Sequence, residues 1–157
     1  MLKIPGGALV IGLSATLISA DSVSNSGGKP AGDMCSLLSI SEVEQALGGK
    51  VDKPTLLPAQ PTSPGGCAYM APKQAGTITL MVFEVPDAPE FFGTLVRGAA
   101  DANHFKEEAV PGLGTKAVHM PSNFYVLMGK KVLMFTYGGP PRPKVEGLVR
   151  KLVAQLQ

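Results

Sequence analysis

Two apolar runs, Phe124 to Met128 and Lys131 to Tyr137, flank the dipeptide Gly129-Lys130. This arrangement restricts the fold more than any other feature of the chain. Glycine at the first central position of a two-residue loop favours a type II′ turn, whose twist suits antiparallel strands. The spacing then sets the register, with Val126 opposite Leu133 and Phe124 opposite Phe135. A slip of one residue would send every side chain to the other face. An isolated hairpin is marginal in water, so the rest of the chain must supply further strands and a cover.

Those partners are visible along the chain. Thr77 to Val85 alternates, with Ile78, Leu80 and Val82 on one face and Thr79, Met81 and Phe83 on the other. Both faces are apolar enough to place this strand inside a sheet. Gly66 to Met70, Phe105 to Val110 and Thr115 to Met120 predict shorter strands, the last two joined by a tight turn at Pro111-Gly112-Leu113-Gly114. Four prolines (Pro54, Pro58, Pro61, Pro64) make residues 52–64 an extended, irregular connection.

Three helices are predicted. In the first, Ser39 and Glu42 form a capping box, Leu38 and Val43 stand at the staple positions, and Gly48-Gly49 ends the helix. In the second, Asp87 caps, Pro89 sits in the first turn, and Phe91, Phe92, Leu95, Val96 and Ala99 form the apolar stripe. The third carries Val145, Leu148, Val149, Leu152, Val153 and Leu156 at helical spacing. A chain of 157 residues with this element order predicts one α+β domain. Its sheet is mainly antiparallel, of five to six strands, with three helices packed on it and one disulfide.

The first twenty residues differ in kind. Lys3 is their only charged side chain, Ala8 to Ile18 is an apolar to weakly polar run, and Ser19-Ala20 follows with small residues. That is the order of a secretory signal peptide. The run would rise only about 16 Å as a helix, against a hydrocarbon layer of roughly 30 Å. A signal peptide at 1–20, a flexible Ser/Gly-rich tether at 21–33 and a domain at 34–157 are therefore expected. The location that follows is secreted or periplasmic, with membrane attachment only through an uncleaved signal. The chain has two cysteines, Cys35 and Cys67, which in an oxidising compartment predict one disulfide. The alternative is two unrelated buried thiols.

Residues able to carry chemistry are few and scattered. The two histidines, His104 and His119, lie in no catalytic context and are expected at the surface of loop or strand. The segment Pro111 to Lys116 lacks phosphate-loop spacing and leads into a strand rather than a helix. Asp87 with Glu90, and Glu107 with Glu108, are carboxylate neighbours, the first pair accounted for by helix capping. Met81, Met128 and Met134 fall inside strands, as adaptable core residues do. A net charge of +2 without a basic stripe argues against a nucleic-acid partner. No catalytic, cofactor-binding or metal-binding residue is assigned, and no cofactor is expected.

Four short pieces share a pattern: Cys-Ser-Leu-Leu-Ser-x-Ser-Glu-Val-Glu-x-Ala-Leu-Gly at 35–48, Gly-Gly-Cys-x-Tyr at 65–69, Val-Pro-Gly-Leu-Gly-x-x-Ala at 110–117 and Tyr-Val-Leu-Met-Gly-Lys at 125–130. Together they resemble a group of bacterial secreted or lipoprotein-type domains. The resemblance implies an exported helix–sheet domain, often lipid-anchored, with no assigned reaction. This chain differs in having no cysteine directly after the apolar run.

The expected role is a non-enzymatic extracytoplasmic binding or interaction domain, whose partner is an envelope or extracellular protein or a small ligand. The alternative is a secreted inhibitor or immunity-type protein inserting an aromatic loop, around Tyr69-Met70 or Phe124-Tyr125, into a cleft. A third possibility is a hydrolase using two of Asp87, Glu90, Glu107 and Glu108.

Overall fold

A computed structural model describes residues 34–60, 63–74 and 76–157. The expected signal peptide and tether lie outside the described residues. The elements run α1 (Ile40–Leu47), β1 (Thr55–Leu57), β2 (Gly66–Ala71), a 3₁₀ turn (Pro72–Gln74), β3 (Gly76–Glu84) and α2 (Ala88–Asn103). They continue through β4 (Glu108–Ala109), β5 (Lys116–Met120), β6 (Asn123–Met128), β7 (Lys131–Gly138) and α3 (Arg142–Leu156).

The seven strands form one sheet in the order β1-β2-β3-β7-β6-β5-β4. Every neighbouring pair is antiparallel. The hairpin has the expected register, with Val126 opposite Leu133 and Phe124 opposite Phe135. Its turn carries Gly129 at φ 58°. Strand β3 lies between β2 and β7, as its two apolar faces require.

Helices cover both faces. On one, α1 and α3 pack over Tyr69, Ile78, Leu80, Phe124, Val126, Leu133 and Phe135. On the other, Ala88, Phe92 and Val96 of α2 pack over Val118, Met120, Tyr125, Leu127 and Val132. Val145, Val149 and Leu152 of α3 have no exposed surface, and each such burial contributes on the order of 1.5–3 kcal/mol. Lys151 of α3 also pairs with Glu42 of α1.

The helix ends follow their sequence signals. Ser39 and Glu42 make a reciprocal capping box, and Gly48 ends α1 in the left-handed region. Asp87 accepts from the Glu90 backbone N–H at the start of α2. The disulfide joins Cys35 to Cys67, with Cα atoms 5.2 Å apart.

Two expectations need correction. The sheet has seven strands rather than five or six, because the proline-rich connection contains β1. Pro54 and Pro58 flank it, lack an N–H, and so confine it to three residues at the sheet edge. Conversely, the strand expected over Phe105 to Val110 shrinks to Glu108–Ala109. The backbone N–H of Phe105 donates to Ala100 O at 3.0 Å, so this residue closes the end of α2 instead of joining the sheet.

Candidate functional site

The four residues expected at an interaction surface do not share one. Tyr69 and Phe124 have no exposed surface, Tyr125 is 5% exposed, and Met70 is 51% exposed. All four sit within strands, where alternation sends Tyr69 inward and its neighbour Met70 outward. An aromatic loop at either dipeptide is therefore not part of this fold. The Tyr69 hydroxyl instead donates toward Cys35 O at 3.0 Å and Leu38 O at 3.3 Å. Two residues from Cys67, it works beside the disulfide to hold the chain that enters α1. Burial pushes its phenol up to about 12.

The carboxylates are likewise distributed. Asp87 is the α2 cap and Glu90 lies in that helix's first turn. Glu108 lies on β4, paired with Arg142, with Glu107 exposed beside it. A cleft of about 300 Å³ opens elsewhere, lined by Thr115, Met128, Gly129, Lys130, Lys131 and Leu156 among others. There the Lys131 ammonium donates to Leu156 O at 2.9 Å, where it balances the negative end of α3.

Among the described residues, the densest cluster of titratable groups forms around His119, which sequence predicts at the surface. Its side chain is only 12% exposed. Strand β5 turns His119 to the same side as Ala117, and β4 pairing sets Glu108 opposite it. His119 Nε2 lies 2.9 Å from the Tyr137 hydroxyl, and Nδ1 lies 3.9 Å from Glu108. The Phe124 ring is 4.6 Å from the imidazole, centre to centre. Above them, Arg142 in the first turn of α3 pairs with Glu108 at 2.7 Å and with Glu146 at 3.3 Å. Glu146 also receives Arg150, which donates to the carbonyls of Pro111 and Gly112.

Each titration shift in this cluster has a physical cause. Desolvation lowers His119 below its usual range, and the nearby Arg142 charge adds to that, while Glu108 and Glu146 oppose it. Burial raises Tyr137. The hydrogen bond from Arg142 lowers Glu108, and that from Arg150 lowers Glu146. A neutral imidazole with Nδ1–H toward Glu108 would leave Nε2 to accept from Tyr137. The order carboxylate, imidazole, phenol resembles a proton relay. Here, however, the phenol is stacked on Phe124 and its acidity is reduced, and the charges satisfy one another. The cluster's work is to seat the first turn of α3, which has no side-chain cap, against β4 and β5.

Sequence alone offered one signal for this cluster. A hairpin folded about the 111–114 turn brings Glu108 opposite His119, and period-two alternation puts His119 on the Ala117 face.

A second feature is the uneven cover of the sheet. Helix α2 buries the β5–β6 side of its face. Farther across, Ala68, Thr79 and Thr136 line up on β2, β3 and β7, with Met70 and Thr77 paired in the next row. Ala68, Thr79 and Thr136 are half-buried, whereas Met70 and Thr77 are exposed. The chain matches no family model, no curated protein and no solved structure.

Proposed function

We propose that this chain is an extracytoplasmic, non-enzymatic interaction domain that presents the Ala68–Met70–Thr77–Thr79 portion of its sheet to a partner. The observation that carries this reading is Met70, half exposed near the end of β2 and opposite Thr77, with Ala68 and Thr79 in the next row of the same face. Methionine is among the residues enriched at protein interfaces, whose rims are polar. The Cys35–Cys67 disulfide supports the compartment, since such bonds persist where the surroundings are oxidising.

The test compares envelope proteins captured by the wild type, by a Met70→Glu/Thr77→Glu variant and by a Lys130→Glu control on the distant hairpin turn. Both substituted residues of the face are exposed, but they stand opposite each other on β2 and β3, where two glutamates repel. Circular dichroism and the urea midpoint of this variant are therefore checked alongside capture. A partner lost only with the first variant supports the reading. Identical capture by all three proteins, or robust turnover of a substrate with no partner, defeats it. Intact mass of envelope-derived protein checks the compartment through signal removal and the two hydrogens lost on disulfide formation.

A further inference from the structure

The Glu108–Arg142–Glu146–Arg150 chain spans three parts of the fold. Arg142 ties β4 to the first turn of α3, and Arg150 ties the second half of that helix to the Pro111–Gly112 turn. What it holds is intrinsically weak. Strand β4 has two exposed residues and sits at the sheet edge. The first turn of α3 begins at Pro141 without a side-chain cap, and it places a cation, Arg142, at the positive end of the helix. The ion pairs add to the backbone pairing of β4 with β5 and to the burial of Val110 and Val145.

We propose that this chain, with His119 beneath it, is an acid-sensitive latch that fastens β4 to the start of α3. Groups from four elements meet at the imidazole. Glu108 comes from β4, Tyr137 from β7, Arg142 and Glu146 from α3, and the uncharged Phe124 ring from β6. Lys106, just before β4, also acts on Glu108.

With a neutral imidazole the formal charges of Glu108, Glu146, Arg142 and Arg150 cancel. Protonating His119 leaves one positive charge in excess, on a group with little access to water. An open arrangement, in which the imidazole meets solvent, takes up that proton more readily. Acid therefore drives opening, first through His119 and at lower pH through the two carboxylates. Opening bares the outer edge of β5, where Ala117 O now accepts from Val110 N–H at 3.0 Å. A bared edge strand exposes unpaired backbone groups, so opening is read directly as lost amide protection.

Amide hydrogen exchange by NMR, corrected for intrinsic rates, tests this on the disulfide-bonded domain at pH 7.5 and pH 5. The reporters are Val110 N–H, on the β4 side, and Lys144 N–H, which bonds Pro141 O. The controls are Thr115 N–H, bonded to Leu127 O, and Val85 N–H, bonded to Lys130 O. Protection at both reporters is expected to fall between pH 7.5 and pH 5 while the controls hold. His119→Gln, which keeps a partner for Tyr137 but cannot gain the charge, should abolish that fall. Arg142→Gln should lower reporter protection at both pH values. Equal protection at both pH values in the wild type, or an undiminished fall in His119→Gln, overturns the proposal.

Discussion

His104 ends α2 at φ 53°, and Ser122 stands at φ 67° in the Pro121-Ser122 turn. A side chain in this left-handed region costs about 1–2 kcal/mol, which glycine escapes at some cost in unfolded-state entropy. His104→Gly and Ser122→Gly are each expected to raise stability by about 0.5–1 kcal/mol, measured from the urea midpoint. A lowered midpoint would mean that the imidazole or hydroxyl supports its turn. Gly114 shows the reverse case. At φ 62°, its added Cβ would stand 2.5 Å from Leu127 O and 2.7 Å from a Val126 methyl. Gly112, at φ 67°, has nothing within 4 Å of the same atom. Gly114→Ala should therefore be clearly worse than Gly112→Ala, whose cost is backbone strain of about 1 kcal/mol. Equal costs would show that the β4–β5 turn is free to move away from β6. Sequence marks these glycines as turn formers but cannot separate the crowded one from the free one. The same limit hid the His119 cluster, which depends on Tyr137 and Arg142 arriving from distant segments.

Helix α1 has eight residues, too few to persist alone in water, so its caps and its packing must be counted together. Ser39→Ala removes the hydroxyl that receives Glu42 N–H and is expected to cost about 1 kcal/mol in urea unfolding. No change would show that Leu38, Val43 and the disulfide hold the helix without its box. The elements legible in sequence were those whose signals are local. Examples are the capping box, the Asp87 cap, the α3 stripe and the hairpin, whose two predicted residue pairs both appear in the sheet. The errors fell at the two sheet edges. Strand β1 is defined by pairing with β2, despite prolines that suggested irregular chain. The strand expected over Phe105 to Val110 is shortened to β4 by Phe105 closing α2 through Ala100. Edge strands are settled by what lies beside them, which one segment's pattern does not record. The same holds for the proposed interaction face: sequence points to Met70 as a surface residue, but the half-covered sheet around it emerges only from the placement of α2.

At the scale of the molecule, the disulfide closes a separation of 32 residues and joins the entrance of α1 to β2. In the chain-entropy account such a link contributes about 3–4 kcal/mol. Reduction should lower unfolding free energy by that amount, and a loss under about 1 kcal/mol would show that the α1 packing holds without it. The pH profile gives a broader check. His119 titrates below 6.5 in the folded chain, so as pH falls through 6.5 the unfolded chain gains a proton that the folded one refuses. Stability drops through that window and levels off once the folded histidine is also charged. Glu44, Glu108 and Glu146 are held below 4.5, each by hydrogen bonds. Their contribution is complete above 4.5 and disappears as pH falls through their folded values. The alkaline side has the opposite cause. Tyr69 moves from 10.0 to about 12, so stability is retained below 10 and lost as pH climbs toward 12. Urea unfolding across the pH range should thus give a plateau with two acid steps and one alkaline decline. His119→Gln should erase the first step alone, and Tyr69→Phe should soften the decline while lowering the plateau by about 1 kcal/mol for its lost hydrogen bond. An acid limb with one step near 4.5, unchanged in His119→Gln, would mean that the imidazole reaches water in the folded chain and that the ion-pair chain stands without it.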